Sequence, residues 1–488
     1  MATKLTNVWK WTRVFAFPTL LACALAACTG QLADKRQAAP ANDQKPAALS
    51  PESEREHARI LAAYGGGYEQ PQLEALLAQT VGRLVTASER PDLNYKVTIL
   101  NSPAVNAFAL SSGRLYVTRG LIGLANDSSE LASVLSHEMA HVIARHAAFR
   151  EDQARQAVIF SRVASDLLGD PQLGALALAR SRIALASFSR AQEFEADGIG
   201  VGISARAGFD PYGAQRFLTS MGLNSQFKSR NTRIDQRPPD FLSSHPATPD
   251  RVANARANAR QYAGPGAIKR DKSQYLTLLD GLVYGEDPNE GFIRGRRFIH
   301  PKLGFTFTAP DGFLIDNTAQ AIFGVKDGGA QAFRLDVVRE PTEQALAEYI
   351  NSGWIENIDR DSILENEING LQAVTATARN TEWTFRLYLV RFNGDVYRFI
   401  FATKYPSEAT DRAFRESIGT FRRISPAEAA LAKPQRIKAV KVIAGSTIEK
   451  LARRMAISDR PVEHFRVLNG LGPGDKLKPG DMVKILVE

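Results

Sequence analysis

The chain has 488 residues, 44% of them hydrophobic and 23% charged, and 61 Lys+Arg against 52 Asp+Glu give a formal charge of +9. This fits a soluble chain of about three domains at roughly 150 residues each, and excludes a mainly disordered chain, a collagen and a polytopic membrane protein. Two cysteines and seven histidines exclude a disulfide scaffold and any Cys-rich zinc or iron–sulfur site, so a metal site has to be built from His and carboxylates.

The chain opens with Lys4, Lys10 and Arg13, followed by an uncharged apolar run over residues 14–27. A basic start and a short apolar core predict a secretory signal over residues 1–27. The run is too short to span a bilayer, which takes about 20 residues. It ends Leu25-Ala26-Ala27-Cys28, which resembles a bacterial lipobox and implies cleavage before Cys28 and lipidation of that residue. The alternative is an ordinary signal cut after a small residue such as Ala26. Residues 28–52 are rich in Ala, Gln, Lys and Pro, lack an apolar period and read as a flexible tether. Thr29 stands where an Asp would suggest inner-membrane retention. The expected address is therefore the periplasm, lipid-anchored to the outer membrane.

Residues 53–262 form the predicted catalytic domain. Arg114-Leu115-Tyr116-Val117 alternates like a strand, beside which an extended peptide is expected to add by backbone hydrogen bonding. Asp127 and Glu130 then make a capping-box-like helix start. Leu131, Val134, Leu135, Met139, Val142 and Ile143 recur at helical spacing. On that helix lies His137-Glu138-Met139-Ala140-His141, in which both imidazoles share a face and Glu138 stands next to them. Zinc needs at least three protein ligands and an open position for water. His146, five residues past His141, is about 140° further round a helix and reads as structural. Glu193 and Asp197 are four apart on a second predicted helix, about residues 190–207. One can ligate while the other orients a ligand histidine. Glu195 points elsewhere and reads as solvent-facing.

Three segments together resemble the HtpX- and BepA-like zinc metalloprotease family of gluzincins. They are Asn106–Leu110 with Tyr116–Leu121, the His137–His141 helix, and Glu193–Asp197. A Tyr64-Gly65-Gly66 element and a late His245-Pro246 also fit. The resemblance covers about residues 55–260. It implies one Zn2+ per chain on His137, His141 and Glu193, with Glu138 as catalytic base and Asp197 supporting a ligand. Zinc would acidify a bound water and polarise the peptide carbonyl, and Glu138 would take the proton and pass it to the leaving amine. Ser111-Ser112-Gly113 departs from the family's Pro-Gly-Gly and bears on peptide preference. His245 is counted with the catalytic residues: it either donates to the oxyanion or reaches the metal and holds the enzyme idle, against a plain turn role. The polar loop before it, residues 226–240, reads as a mobile lid.

Residues 270–424 read as an α+β accessory domain, with strands at 305–308, 385–389 and 396–399 and helices near 342–352 and 407–419. It loosely resembles the PsbP-like fold, and His300 in it is isolated and structural. Residues 425–435 form an Ala/Pro linker. Residues 436–488 read strand, helix, helix, strand and resemble a LysM module, which implies binding to peptidoglycan. The fold class is thus α+β multidomain: a mainly helical zincin-type core with a small sheet, a second α+β domain and a βααβ tail. The charge follows this division. The signal carries +3 and the tail 11 basic against 6 acidic side chains, so the body is nearly neutral and no nucleic-acid surface is implied.

The expected function is a zinc metalloendopeptidase of the periplasm acting in envelope protein quality control. Its expected substrates are unfolded or misassembled envelope proteins. The alternative is a largely non-catalytic chaperone or assembly factor, or a peptidoglycan-binding adaptor.

Overall fold

A computed structural model describes residues 51–148, 188–229, 241, 245–246, 248–264, 270–318, 321–338, 345–457 and 459–488. The expected signal, Cys28, nearly all of the tether and most of the expected lid lie outside them.

The catalytic region begins with helices α1 (Pro51–Ala63) and α2 (Pro71–Ala87), the latter with Pro at its first turn, where the missing N–H costs nothing. Strands β1 (Lys96–Leu100), β2 (Ala107–Ala109) and β3 (Arg114–Thr118) follow, then α3 (Arg119–Leu124) and α4 (Ser128–Ile143). The sheet order is β1-β3-β2, with β1 parallel and β2 antiparallel to β3. The expected substrate-side strand, β3, is therefore the central strand with both edges paired. The edge next to the catalytic helix is β2. Alternation alone identifies a strand but not its place in the sheet. Gly113 closes the β2–β3 turn at φ +81°, and a Cβ there would sit 2.5 Å from the Asn94 carbonyl oxygen.

Helices α5 (Arg190–Arg206) and α6 (Gly213–Ser229) pack against α4, and α7 (Pro249–Tyr262) packs against α5 and α6. Leu131, Leu135 and Met139 of α4 join Leu73, Leu77 and Ile203 in one core. Among the described residues no helix is long and apolar enough to cross a membrane.

After α8 (Lys272–Leu278) and β4 (Val283–Tyr284) come β5 (Phe292–Arg294), β6 (Arg297–His300) and β7 (Phe305–Thr308), then β8 (Leu314–Asn317), β9 (Ile322–Lys326) and β10 (Gln331–Val338). Helix α9 (Leu346–Ile350), strands β11 (Ile358–Ile368), β12 (Leu371–Arg379), β13 (Thr384–Phe392) and β14 (Asp395–Thr403), α10 (Glu408–Ile418) and β15 (Arg422–Arg423) complete the accessory region. Seven strands form a sheet in the order β11-β12-β13-β14-β10-β9-β8, and four form another, β15-β7-β6-β5. Phe298, Phe305, Phe307, Phe399, Phe401 and Phe414 fill its core. His300 is buried there, its Nδ1 accepting from Leu303 N at 3.2 Å, a turn role that matches the sequence reading.

The linker is not featureless. Ser425 and Glu428 form a reciprocal capping box on helix α11 (Pro426–Leu431), and Glu428 also binds Arg297 and Arg422. The tail contains β16 (Gln435–Lys441), α12 (Ile448–Ala452), α13 (Pro461–Leu468) and β17 (Met482–Val487), in the predicted order. Strand β16 pairs with β17 on one side and with β4 on the other. Ile437, Phe465 and Leu486 share a core with Leu121 and Ile122 of the catalytic region. Lys484, wholly buried, donates to the carbonyls of Gly123, Leu124 and Ala125 at 2.7–3.1 Å. It thereby satisfies the C-terminal carbonyls of α3, which have no partner within their own helix.

Candidate metal centre

The site is built on two helices that approach closely. Asp127 caps α4 by accepting from Glu130 N at 2.9 Å, while the Glu130 carboxylate accepts from Asn126 N at 2.9 Å. Residues 128–141 of α4 are all buried. Helix α5 starts with a capping box between Ser189 and Gln192. Its Gly200 lies against α4, where a Cβ would come 3.0 Å from His137 N and 3.2 Å from Ser136 C. That contact brings Glu193 and Asp197 to the histidine face.

His137 Nε2 and His141 Nε2 are 3.1 Å apart. Glu193 Oε2 is 3.6 Å from the first, and Glu193 Oε1 is 3.5 Å from the second. His245 joins them, with its Nδ1 2.8 Å from Glu193 Oε1 and 3.3 Å from His137 Nε2. Ligand atoms of these four buried residues all lie within 4.8 Å of one another. A tetrahedral zinc with bonds of about 2.0–2.1 Å needs its ligand atoms roughly 3.4 Å apart, so the donor set fits this ion.

The supporting contacts complete the fit, since a ligating imidazole needs its other nitrogen held. Asp197 Oδ1 is 3.0 Å from His137 Nδ1, and His146 Nδ1 is 2.8 Å from His141 Nδ1. His146 was expected to face away. The helix ends at Ile143, and Arg145 at φ +56° turns the chain back, so helical angles do not apply beyond it. Glu195 is exposed, as expected, and touches the other side of His146 at 3.4 Å.

Arg251, at the start of α7, was not singled out from sequence. Its Nε and Nη2 bind both Asp197 oxygens at 2.8 and 2.7 Å, and its Nη1 lies 2.6 Å from Glu193 Oε2 and 3.2 Å from the Pro246 carbonyl. One signal was readable: two buried acids need a compensating cation. Thr248-Pro249 also announces the helix that carries it.

Burial governs the electrostatics. It raises the Glu193 carboxyl and, joined by the charge of Glu193, raises Glu138 well above the ordinary range. Burial also lowers His137 and His141, keeping both imidazoles neutral and able to ligate. At Asp197 burial is outweighed by hydrogen bonds from Arg251 and His137, which hold the carboxyl at about 2. Glu138 is 3% exposed, receives the Ala109 backbone N–H, and keeps Oε1 without a hydrogen-bond partner among the described residues. That oxygen lies 3.6 Å from His245 Nε2. Phe241 stacks on the His245 ring at 4.4 Å, and Phe188 stacks on His141 at 4.0 Å.

Residues 71–259 match the family model described as Peptidase family M48. The chain is similar to the beta-barrel assembly-enhancing protease of Escherichia coli, 34% identical over 218 residues, which is 43% of each chain. It is also similar to the protein of that name in Yersinia pestis, 31% identical over 229 residues, covering 45% of this chain and 46% of that one. The mitochondrial metalloendopeptidase OMA1 of Schizosaccharomyces pombe is 31% identical over 200 residues, 40% of this chain and 55% of that one. The chain thus spans less than half the length of the bacterial relatives. A solved cyanobacterial PsbP from Synechocystis aligns with 28% of this chain and 98% of its own, at 13% identity and a TM-score of 0.23, too low to carry an argument. Over residues 71–259 the chain is a peptidase family M48 domain, homologous to the beta-barrel assembly-enhancing proteases.

Proposed function

We propose that the protein is a zinc metalloendopeptidase with His137, His141 and Glu193 as metal ligands. The observation that carries this is the buried donor set beside an orphaned Glu138 oxygen. Bound zinc supplies Lewis acidity toward a peptide carbonyl and a water. Glu138, with one oxygen steadied by Ala109 N–H, takes the water proton and returns it to the leaving amine. Asp197 and His146 fix the ring orientations. The substrate lies along β2, the sheet edge whose Ala109 amide touches Glu138, rather than along β3. An extended chain gains backbone hydrogen bonds there.

With zinc bound, His245, whose Nδ1 is 2.8 Å from Glu193 Oε1 and 3.3 Å from His137 Nε2, would be placed to take the fourth position, which a catalytic zinc site keeps open. His245 would then hold the site idle and have to withdraw for turnover. A non-catalytic chaperone has no use for a buried carboxylate oxygen without a hydrogen bond at this place, which favours the enzyme.

The biological reading is envelope protein quality control in the periplasm, on unfolded or misassembled proteins. It rests on the similarity to the beta-barrel assembly-enhancing proteases and on the lipobox-like Cys28, with lipid anchoring to the outer membrane. Peptidoglycan binding belongs to the LysM-like tail, whose turns at residues 443–445 and 473–476 are exposed. Because the tail shares its core with the catalytic region, its glycan test is sedimentation of the full chain with peptidoglycan.

The decisive functional assay is casein cleavage before and after zinc removal by a chelator. Loss on chelation and recovery with zinc are expected. Cleavage that persists without metal would contradict the proposal.

A further inference from the structure

A cavity of about 420 Å3 lies where the catalytic region, α6, the start of the accessory region and the tail meet. Its size falls in the range of small-ligand pockets, about 300–1,000 Å3. Leu124, Val283, Ile293, Ile315, Ile437 and Leu468 give it apolar walls. Arg119 lies in its lining and is 1% exposed. Its Nε donates to Asn101 Oδ1 at 2.8 Å and its Nη1 to the Val283 carbonyl at 3.0 Å, but Nη2 has no partner among the described residues. Such a buried donor leaves an unmet need for an acceptor.

Glu286, Asp287, Glu290 and Asp316 line the same cavity, and Lys228 is a second cation in the lining. Asp287 accepts from Asn101 Nδ2 at 2.8 Å, and both oxygens of Glu286 lie within 3.0 Å of Ile293 N. Burial pushes Glu286 up to about 7, only partly offset by Arg294 Nη1 at 3.6 Å from its Oε2, so a second cation beside it is favoured. A lone anion meets four carboxylates here. A polyamine leaves the Arg119 donor unmet. A hydrocarbon satisfies neither. The ligand therefore needs an acceptor end, an ammonium end and some apolar body.

We propose that this cavity is a second ligand site, for a zwitterionic peptide of two or three residues with its carboxylate on Arg119 and its ammonium against Glu286, Asp287 and Glu290. The choice of a peptide rests on the peptidase reading, since such molecules are what a peptidase releases. The site also has a route to the metal centre. Val105 lines the cavity, and its carbonyl accepts from Phe241 N at 2.9 Å. Phe241 in turn stacks on His245 and accepts from its backbone N–H at 2.8 Å. The stretch before Val105 is held firmly: at Gly120 a Cβ would come 2.3 Å from the Pro103 carbonyl oxygen. A filled cavity thus bears on the residue that closes the zinc site.

The test is isothermal titration of the full chain, carrying Glu138→Gln so that no probe is consumed, with Ala-Leu and Ala-Leu-Lys. Saturable one-to-one binding is expected, at least tenfold weaker for the same peptides with acetylated and amidated ends. Ile315→Trp, which fills the cavity away from the metal, and Arg119→Met should each weaken it at least tenfold. Circular dichroism checks that both variants stay folded, and Ile315→Trp carries the test if Arg119→Met does not fold. No saturable heat, equal binding of capped and free peptides, or undiminished binding by Ile315→Trp would overturn the site. So would spermidine competing as well as the peptides. None of these readouts needs turnover. Binding without any casein cleavage by the wild type sinks the peptidase reading and keeps the site, and the converse result sinks the site alone.

Discussion

The zinc-site helices and the C-terminal tail are built by opposite rules. At the metal centre, four-residue spacings on α4 and α5 place the side chains, so the chemistry is written locally. In the tail, the order of strands and helices is local, but the partners are not. Strand β16 takes β4 as a neighbour across the whole accessory region, and Lys484 reaches more than 350 residues back to the carbonyls ending α3. Helical periodicity fixes which residues can meet on one face. Nothing in a strand's alternation tells which surface will cover it.

The same division explains what was legible. His137, His141, Glu193 and Asp197 converge as their spacing requires. Helix α5 is read nearly to the residue because Ser189 and Gln192 cap it. His245 and Arg251 lie outside any periodic segment shared with the ligands, so their convergence depended on tertiary packing. The place of His146 was hidden by one left-handed residue, Arg145. The exchange of β3 for β2 as the edge strand and the capped helix within the linker have the same origin, namely pairing and capping partners distant from the local pattern.

Several substitutions probe this contrast. The largest effect is expected at a ligand: Glu193→Ala should leave the chain with little bound zinc by elemental analysis, and full zinc occupancy would remove Glu193 from the donor set. Asp197→Asn and Arg251→Lys change only what steadies the ligands, and each should weaken zinc binding about 10–100-fold in competition with a chromophoric chelator. Equal effects of the two would show that Arg251, unseen in sequence, matters as much as the motif residue. In the tail, Lys484→Met removes the donor to the Gly123 and Ala125 carbonyls, while Leu124 keeps Asn126 Nδ2, and should cost about 2–3 kcal/mol in chemical denaturation. A neutral result would make the tail an autonomous module after all.

The last substitution concerns pH. Burial raises the Glu286 carboxyl from 4.5 to about 7, so the unfolded chain releases this proton first as pH rises. Its contribution to stability is therefore fully present below about pH 4.5, is lost progressively up to about pH 7 and is flat above. Glu286→Gln should reduce that slope, which denaturation curves at pH 5 and pH 8 would measure. An unchanged slope would place the titrating group elsewhere.

In the proposed mechanism Glu138 works on a proton while three neighbours hold the metal. Glu138→Gln keeps the shape and removes the base, so zinc content and casein turnover measured on the same sample separate the two roles. One zinc per chain is expected in both proteins, with turnover lower by about 10²–10⁴-fold in the variant. Equal turnover, with zinc retained in both, would contradict it.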